Sequence, residues 1–351
     1  MIKFEKVSAL IERNNLDALL IMSPYNRRYL SEFTGSSGAV IITKDSRYLI
    51  SDFRYKAQGA AEARHFDFVL QTKGLLDSVM EFLQEKNIKT LGFEGEHVNF
   101  NTYDQLKKEF ELVPLSGEIE KIRMYKTPEE VELIRKACGI ADEAYDHILK
   151  YIRPGMSELE VQNELESYMR KLGASGSSFD MIVASGYRGA LPHGSASGKI
   201  IESGEMVTLD FGAYYKGYAS DITRTFGVGS VSDEMEKIYS IVLDAQTSSV
   251  GEIKTGMTGQ AADKIARDII TEAGFGENFG HSLGHGLGLE VHEMPSISKR
   301  SENILEKGMV ITVEPGIYLD DIGGVRIEDD CLVTELGLEK LSRSSKELFI
   351  I

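Results

Sequence analysis

The chain is 351 residues long, with 55 acidic against 39 basic side chains, a formal net charge of −16 and 42% hydrophobic content. Such a length favours two domains over one, and so acidic a surface argues against nucleic acid as a partner, because phosphate neutralisation needs a basic face. No apolar run reaches the roughly 18 residues of a membrane span. The start, Met1-Ile2-Lys3-Phe4-Glu5-Lys6, lacks a signal-peptide core, and Cys138 and Cys331 form neither a disulfide framework nor a metal-ligand spacing. The default expectation is a cytoplasmic protein with no membrane contact.

From residue 1 to about 120, short apolar strands (17–22, 39–43, 48–51, 90–93) alternate with helical patterns at 4–14 and 74–86, the latter with Leu75, Val79, Phe82 and Leu83 on one stripe. That alternation indicates an α/β domain. The Gly35-Ser36-Ser37-Gly38 turn opens no helix, so a nucleotide-binding loop is not indicated. A boundary falls near 122–126, giving an N-terminal domain over 1–121 and a second over 122–351. Thr127-Pro128-Glu129-Glu130 then supplies a helix cap, a proline at the first turn and a capping-box glutamate. A second capped helix begins at Ser157 with Glu160 as its capping partner, a third runs over about 232–249, and a fourth starts at Thr258.

The second and fourth helices expose an internal repeat. Gly155-Met156-Ser157 precedes one and Gly256-Met257-Thr258 the other; they stop at Gly173 and Gly274, and each is followed by a strand pair bearing two acids. The first pair is 207–212 with 220–225, carrying Asp210 and Asp221; the second is 309–314 with 325–328, carrying Glu314 and Glu328. Alternation places all four carboxylates on the polar strand faces, with Asp210 and Asp221 cross-strand neighbours or nearly so. Like charges so placed repel, and burying four unpaired carboxylates is very costly. Two divalent cations would balance them, and oxygen ligation with an imidazole suits Mn, Co, Fe or Zn.

Four of the seven histidines, His193, His281, His285 and His292, lie in loops between these strands, whereas His65, His97 and His147 sit in polar surface-like contexts. The run from Gly280 to His292 is too glycine-rich for a stable helix, so its i, i+4 histidines are not a helical zinc pattern. Its glycines instead permit close approach to a ligand or another strand.

The stretches Ala190-Leu191-Pro192-His193, Leu209-Asp210-Phe211-Gly212, Ser220-Asp221-Ile222-Thr223-Arg224-Thr225, the run 280–293, Val313-Glu314-Pro315-Gly316-Ile317-Tyr318 and Gly324-Val325-Arg326-Ile327-Glu328-Asp329 resemble the Xaa-Pro peptidases, prolidase and aminopeptidase P, of the dinuclear pita-bread metallopeptidases. The likeness covers about residue 122 to the C-terminus. It implies an α+β architecture: an α/β creatinase-like N-terminal domain, then a pita-bread domain of pseudo-twofold helix-plus-hairpin repeats. It further implies Asp210 on one metal, His285 and Glu314 on the other, and Asp221 and Glu328 bridging. His193 and His292 would contact the scissile group, with Glu314 as proton shuttle and His281, Tyr318 and Arg326 lining the substrate pocket. Arg326 also shares a strand face with Glu328 by alternation.

The expected activity is two-metal hydrolysis of the Xaa-Pro bond in short proline-containing peptides, with Mn or Co the favoured ions, Zn or Fe next, and a homodimer as in the family. Dipeptidase and aminopeptidase readings both stay open. A methionine aminopeptidase would share the five ligands but usually lacks such an N-terminal domain. A creatinase-type enzyme keeps the fold without this metal set, and non-catalytic pita-bread binding modules typically lose ligands.

Overall fold

The structure is a computed structural model describing residues 2–351; Met1 and the side chain of Ile2, at the charged N-terminal stretch, lie outside the described residues. It divides into two compact units, Met1–Arg123 and Met124–Ile351.

In chain order the first unit contains α1 (Ile2–Arg13), β1 (Ala18–Ile21), α2 (Pro24–Ser31), β2 (Ala39–Thr43), β3 (Arg47–Ser51), α3 (Lys56–Glu62), β4 (Asp67–Leu70), α4 (Leu75–Glu85), β5 (Thr90–Phe93), α5 (Phe100–Leu106), β6 (Glu111–Pro114) and α6 (Glu118–Arg123). The strands form one mixed sheet in the order β4-β3-β2-β1-β5-β6. Central β1 is buried at every position, as a strand covered on both faces must be. Val79, Phe82 and Leu83 of the α4 stripe pack into the core with Leu20, Ile41 and Leu91. Sequence periodicity misses β4 and β6 because both are half-exposed edge strands without a clean apolar alternation. It misses α2 because that helix is held by its Ser23 cap and the proline in its first turn rather than by an apolar stripe.

The second unit comprises α7 (Pro128–Tyr151), α8 (Glu158–Lys171), β7 (Gly176–Ser177), β8 (Ile182–Ser185), β9 (Met206–Phe211), β10 (Ala213–Tyr215), β11 (Tyr218–Ala219), β12 (Ile222–Gly227), α9 (Asp233–Glu252), α10 (Gly259–Glu272), β13 (Gly284–Gly286), β14 (Glu293–Ile297), β15 (Val310–Val313), β16 (Gly316–Leu319), β17 (Gly323–Arg326), β18 (Asp329–Thr334) and β19 (Gly337–Lys340). Both predicted capping boxes form completely, at Thr127/Glu130 and at Ser157/Glu160. One core packs α7 and α8 against β8, β9 and β12; another packs α9 and α10 against β15, β16, β17 and β18.

The repeat is written in backbone hydrogen bonds. Gly155 N–H donates to Ile201 O at 2.9 Å and Gly256 N–H to Leu305 O at 2.8 Å; Ile201 N–H returns to Met156 O and Leu305 N–H to Met257 O, both at 2.8 Å. Gly173 and Gly274 end their helices at φ +103° and +92°, the left-handed conformation that terminates a helix without a Cβ clash.

The strand pairings depart from the expected hairpins. β9 pairs with β12 in a register that sets Thr223, not Asp221, opposite Asp210, so the two aspartates are diagonal neighbours. The cause is the turn: the tip continues in the same register as β10 and β11, with Tyr215 opposite Tyr218 around Lys216 and Gly217 at φ +48° and +81°. At Gly212, where a Cβ would stand 1.8 Å from Ser220 O, the ladder is interrupted and the tip joins another sheet. In the second half, 309–314 and 325–328 belong to one interrupted hairpin that is longer than expected: β15 pairs with β18 and, in the same register beyond a break at Glu314 and Pro315, β16 pairs with β17. The last β15–β18 partners are Val313 and Asp329, so Glu314 and Glu328 face each other one residue beyond the ladder. Glu328 N–H instead donates to Thr223 O of the other half at 3.1 Å.

Candidate metal centre

Five side chains converge where these strands end. Asp210 stands near the end of β9, Asp221 just before β12, His285 in the middle of β13, Glu314 just after β15, and Glu328 between β17 and β18. Glycines 284 and 286 let β13 lie against its neighbours: a Cβ at either would come within 2.1 Å of Thr312 O or Met294 O. All five side chains line one pocket of about 520 Å³, together with His193, His281, His292 and Arg326. A pocket of that size suits a small ligand. Tyr318 lies behind this lining, joined to it through His281 and Arg326.

Thr312 orients the imidazole side of the cluster. Its hydroxyl accepts from His285 N–H and donates to Glu314 Oε1, both at 3.1 Å. His285 Nδ1 lies 3.1 Å from Gly286 O; since a carbonyl only accepts, Nδ1 carries the proton and Nε2 presents its lone pair. That lone pair faces Glu314 Oε1 at 3.3 Å and Asp221 Oδ2 at 3.7 Å. Acceptors so arranged require a cation between them, whether a proton or a metal.

Thr223 performs the parallel task on the other side. Its hydroxyl donates to Glu328 Oε2 at 2.6 Å and accepts from Arg326 Nε at 3.1 Å. Arg326 donates through Nη2 to Asp210 Oδ2 at 2.6 Å and through Nη1 to Tyr318 OH at 2.7 Å. The Tyr318 hydroxyl also meets His281 Nε2 at 2.8 Å, while His281 Nδ1 lies 2.8 Å from Ser282 O. Burial holds the His281 imidazole below its ordinary pKa. It is therefore neutral, protonated at Nδ1, and accepts from Tyr318. Behind the pocket, Asp330 Oδ2 accepts from Asp221 N–H at 2.9 Å and from Cys138 Sγ at 3.2 Å.

The unmet charge is explicit. Asp210 Oδ1, Asp221 Oδ1 and Glu328 Oε1 are buried without a hydrogen-bond partner. Burial, then the charges of Glu328, Asp210, Asp330 and Glu314, pushes the Asp221 carboxyl well above its ordinary range; burial, then Glu314 and Asp210, does the same to Glu328. Burial also raises Asp210 despite Arg326. Burial raises Glu314 as well, but the hydrogen bond and charge of His285 outweigh it and the net shift is downward. Conversely, burial lowers His285 while Glu314 outweighs that and lifts it. Carboxylates so crowded ionise together only beside positive charge, so the donor set fits divalent cations. Ligand atoms of Asp221, His285 and Glu328 already lie within 4.8 Å of one another. A second group, Glu94, His97 and Glu120, meets the same distance. There, however, Glu94 is satisfied by the Met22 and Ser23 amides and by Asn26 Nδ2.

Residues 132–335 match the sequence profile described as metallopeptidase family M24, and residues 3–125 match the creatinase/prolidase N-terminal domain. The chain belongs to metallopeptidase family M24. Members of that family are divalent-metal hydrolases, in keeping with the ligand groups gathered here. The Xaa-Pro dipeptidase of Pyrococcus furiosus is a 42% identical relative, matched over 99% of both chains. An Xaa-Pro dipeptidase from Bacillus anthracis is 50% identical with a TM-score of 0.98, over 100% of this chain and 99% of that one. The X-Pro aminopeptidase of Thermotoga maritima is 41% identical with a TM-score of 0.91, over 97% and 99%. The fold is thus the expected α+β arrangement of a creatinase-like domain followed by a pita-bread domain.

Sequence reasoning assigned no role to Thr223, Thr312 or Asp330. The signal available for the threonines is their position on the same strand face, two residues from an acid: Thr312 before Glu314 and Thr223 after Asp221. No helix among the described residues is long and apolar enough to cross a membrane.

Proposed function

We propose that the protein is an Xaa-Pro dipeptidase whose two divalent ions are held by Asp210, Asp221, His285, Glu314 and Glu328. The observation that carries this reading is the convergence on one pocket of three unpartnered carboxylate oxygens and the His285 lone pair. The proline preference follows relatives named Xaa-Pro dipeptidase that match end to end. On this reading Asp210 would serve one ion, His285 and Glu314 the other, and Asp221 and Glu328 would be shared between them. When bound, the ions supply Lewis acidity, polarising the scissile carbonyl and acidifying a water.

This chain's own groups complete the reaction. Glu314 takes the proton of the attacking water and returns it to the prolyl nitrogen, which must be protonated to leave. His292 packs 4.3 Å from His285, ring to ring, and burial keeps its pKa below the ordinary value. As a neutral imidazole it donates an N–H toward the oxygen on which charge develops, and His193, which lines the same pocket, shares that task. Each nitrogen of Arg326 is engaged by Thr223, Tyr318 or Asp210. The guanidinium therefore holds Asp210 in place at the pocket wall; three of its five N–H donors are so used, and the two left, with His193 and His292, are the candidates to meet a substrate carboxylate. The donor set favours Mn or Co, with Fe and Zn also compatible. A cytoplasmic homodimer is the accompanying reading, checked by sedimentation.

An aminopeptidase reading is kept because of the Thermotoga neighbour. The test is kcat/KM of the Mn- or Co-loaded protein on an Xaa-Pro dipeptide and on an Xaa-Pro-Yaa peptide. A dipeptide preference is expected; the reverse would favour the aminopeptidase. Cleavage of non-proline peptides alone would overturn the substrate class. Elemental analysis of the purified protein identifies the ion.

A further inference from the structure

His193 lies on a long connection between β8 and β9 that forms no regular strand ladder. The corresponding connection of the other half is tied by pairing between β13 and β14. In the His193 connection, residues 186–199, the regular ladder is replaced by a bridge between Ile182 and Ser195 and by a carboxylate from below. That carboxylate is Glu158, the first residue of α8, whose side chain is 0% exposed. Its Oε1 accepts from Ser185 N–H at 2.8 Å and Ser185 Oγ at 2.9 Å; its Oε2 accepts from Ser197 N–H at 3.0 Å and Ser197 Oγ at 2.7 Å. Arg188 Nε straddles both oxygens at 3.2 and 3.0 Å, and Arg188 Nη2 reaches Ser195 O at 2.5 Å.

The two ends of the His193 loop are thus fastened to one buried anion, and Pro192, His193 and Ser195 between them line the pocket. The repeat supplies an internal control. Ser157 bridges Ile200 as Thr258 bridges Ile304, and Glu158 N–H donates to Lys199 O as Gly259 N–H does to Asn303 O. The position equivalent to Glu158 is therefore Gly259. There the space a Cβ would enter is filled by Ser296 O and Ser301 Oγ, each 2.5 Å away. The half with a strand ladder dispenses with the carboxylate, and the half without one employs it.

We infer that Glu158 is a positioning residue for the reaction, acting through His193 by fixing the 185–197 loop over the metal pocket. This rests on the reading of His193 as facing substrate. Glu158→Gln keeps the volume but turns an amide N–H2 toward donors, so one loop anchor is lost. A displacement on the order of 1 Å in a group that meets the transition state lowers turnover about 100-fold.

The experiment is a double-mutant cycle on the metal-loaded protein with an Xaa-Pro dipeptide. Glu158→Gln should lower kcat/KM about 10- to 100-fold with metal content unchanged. In a His193→Ala background the same change should cost less than about twofold, because interacting residues are non-additive. Equal losses in both backgrounds overturn the inference. Hydrogen–deuterium exchange provides a readout independent of substrate: amides of 186–197 should exchange faster in Glu158→Gln while β9 and α10 keep their protection. Unchanged loop exchange sinks the anchoring even if the wild-type protein cleaves no Xaa-Pro peptide, an outcome that would itself refute the substrate reading. Should Glu158→Gln fail to fold, Ser197→Ala removes one donor alone and carries both measurements with a smaller effect.

Discussion

Arg326 Nη2 sits 2.6 Å from Asp210 Oδ2, joining a buried guanidinium to a carboxylate that also faces the metal pocket. Arg326→Ala would leave Asp210 uncompensated, and breaking a buried pair costs about 3 kcal/mol at the low end. A cation bound beside Asp210 replaces part of the missing charge. The destabilisation should therefore be larger in chelator-treated protein than in metal-loaded protein, measured by thermal unfolding. Equal losses under both conditions would mean that Arg326 does not balance the charge the ion sees.

Asp221→Asn removes a charge from the most crowded position of the cluster. Metal affinity should fall by more than the roughly 10- to 100-fold typical of losing a supporting group, measured by calorimetric titration with Mn or Co. A variant that retains both ions at wild-type affinity would rule out the bridging role.

Metal binding and protons compete for the same atoms. Asp221 and Glu328 have carboxyl pKa values raised well above 3.8 and 4.5, and His285 is raised as well. Each must be unprotonated to ligate, so affinity is full above these raised values and falls as pH drops through them. The loss should begin at a higher pH than for an ordinary carboxylate site. Proton release on metal addition, followed in buffers of differing ionisation enthalpy, measures it; no net release at mildly acidic pH would contradict the assignment.

Away from the pocket, Arg224 Nη2 pairs with Asp329 Oδ1 at 2.7 Å with 1% and 0% of the side chains exposed, and Lys346 Nζ reaches Asp329 Oδ2 at 2.8 Å. Burial raises the Asp329 carboxyl, but Arg224 and Lys346 outweigh it and hold it below 3.8. The sign follows from that depression: the stabilisation is complete above the unfolded value and disappears as pH falls through the lower folded one. Asp329→Ala should cost about 3–5 kcal/mol at neutral pH, read from denaturant midpoints, with the difference from wild type shrinking below pH 3.8.

Much of this arrangement is legible in the chain because strands alternate and caps have signatures. The four acids stand out as polar residues on apolar strands, and the matched Gly-Met-Ser and Gly-Met-Thr starts disclose the repeat. Register is not legible. Whether Asp210 opposes Asp221 or Thr223 depends on which two residues make the turn, and Lys216-Gly217 lacks the Asn-Gly or Asp-Gly signature that would announce it. The β16–β17 hairpin hides behind Pro315 and a run of glycines and aspartates that read as loop. Among the histidines, periodicity cannot single out His285, since glycine-flanked positions carry no face. Thr223 and Thr312 look like ordinary β-branched strand residues until their hydroxyls are seen between two charged groups.

Glu328 donates its backbone N–H to Thr223 O, and its carboxylate accepts from the Thr223 hydroxyl. An acid of the second half is thereby gripped at both ends by a strand of the first. Neither half is a self-sufficient module, since severing the chain between them would separate Asp210 and Asp221 from His285, Glu314 and Glu328. The candidate metal pocket therefore lies on the seam between the two halves and is lined only while both are joined there.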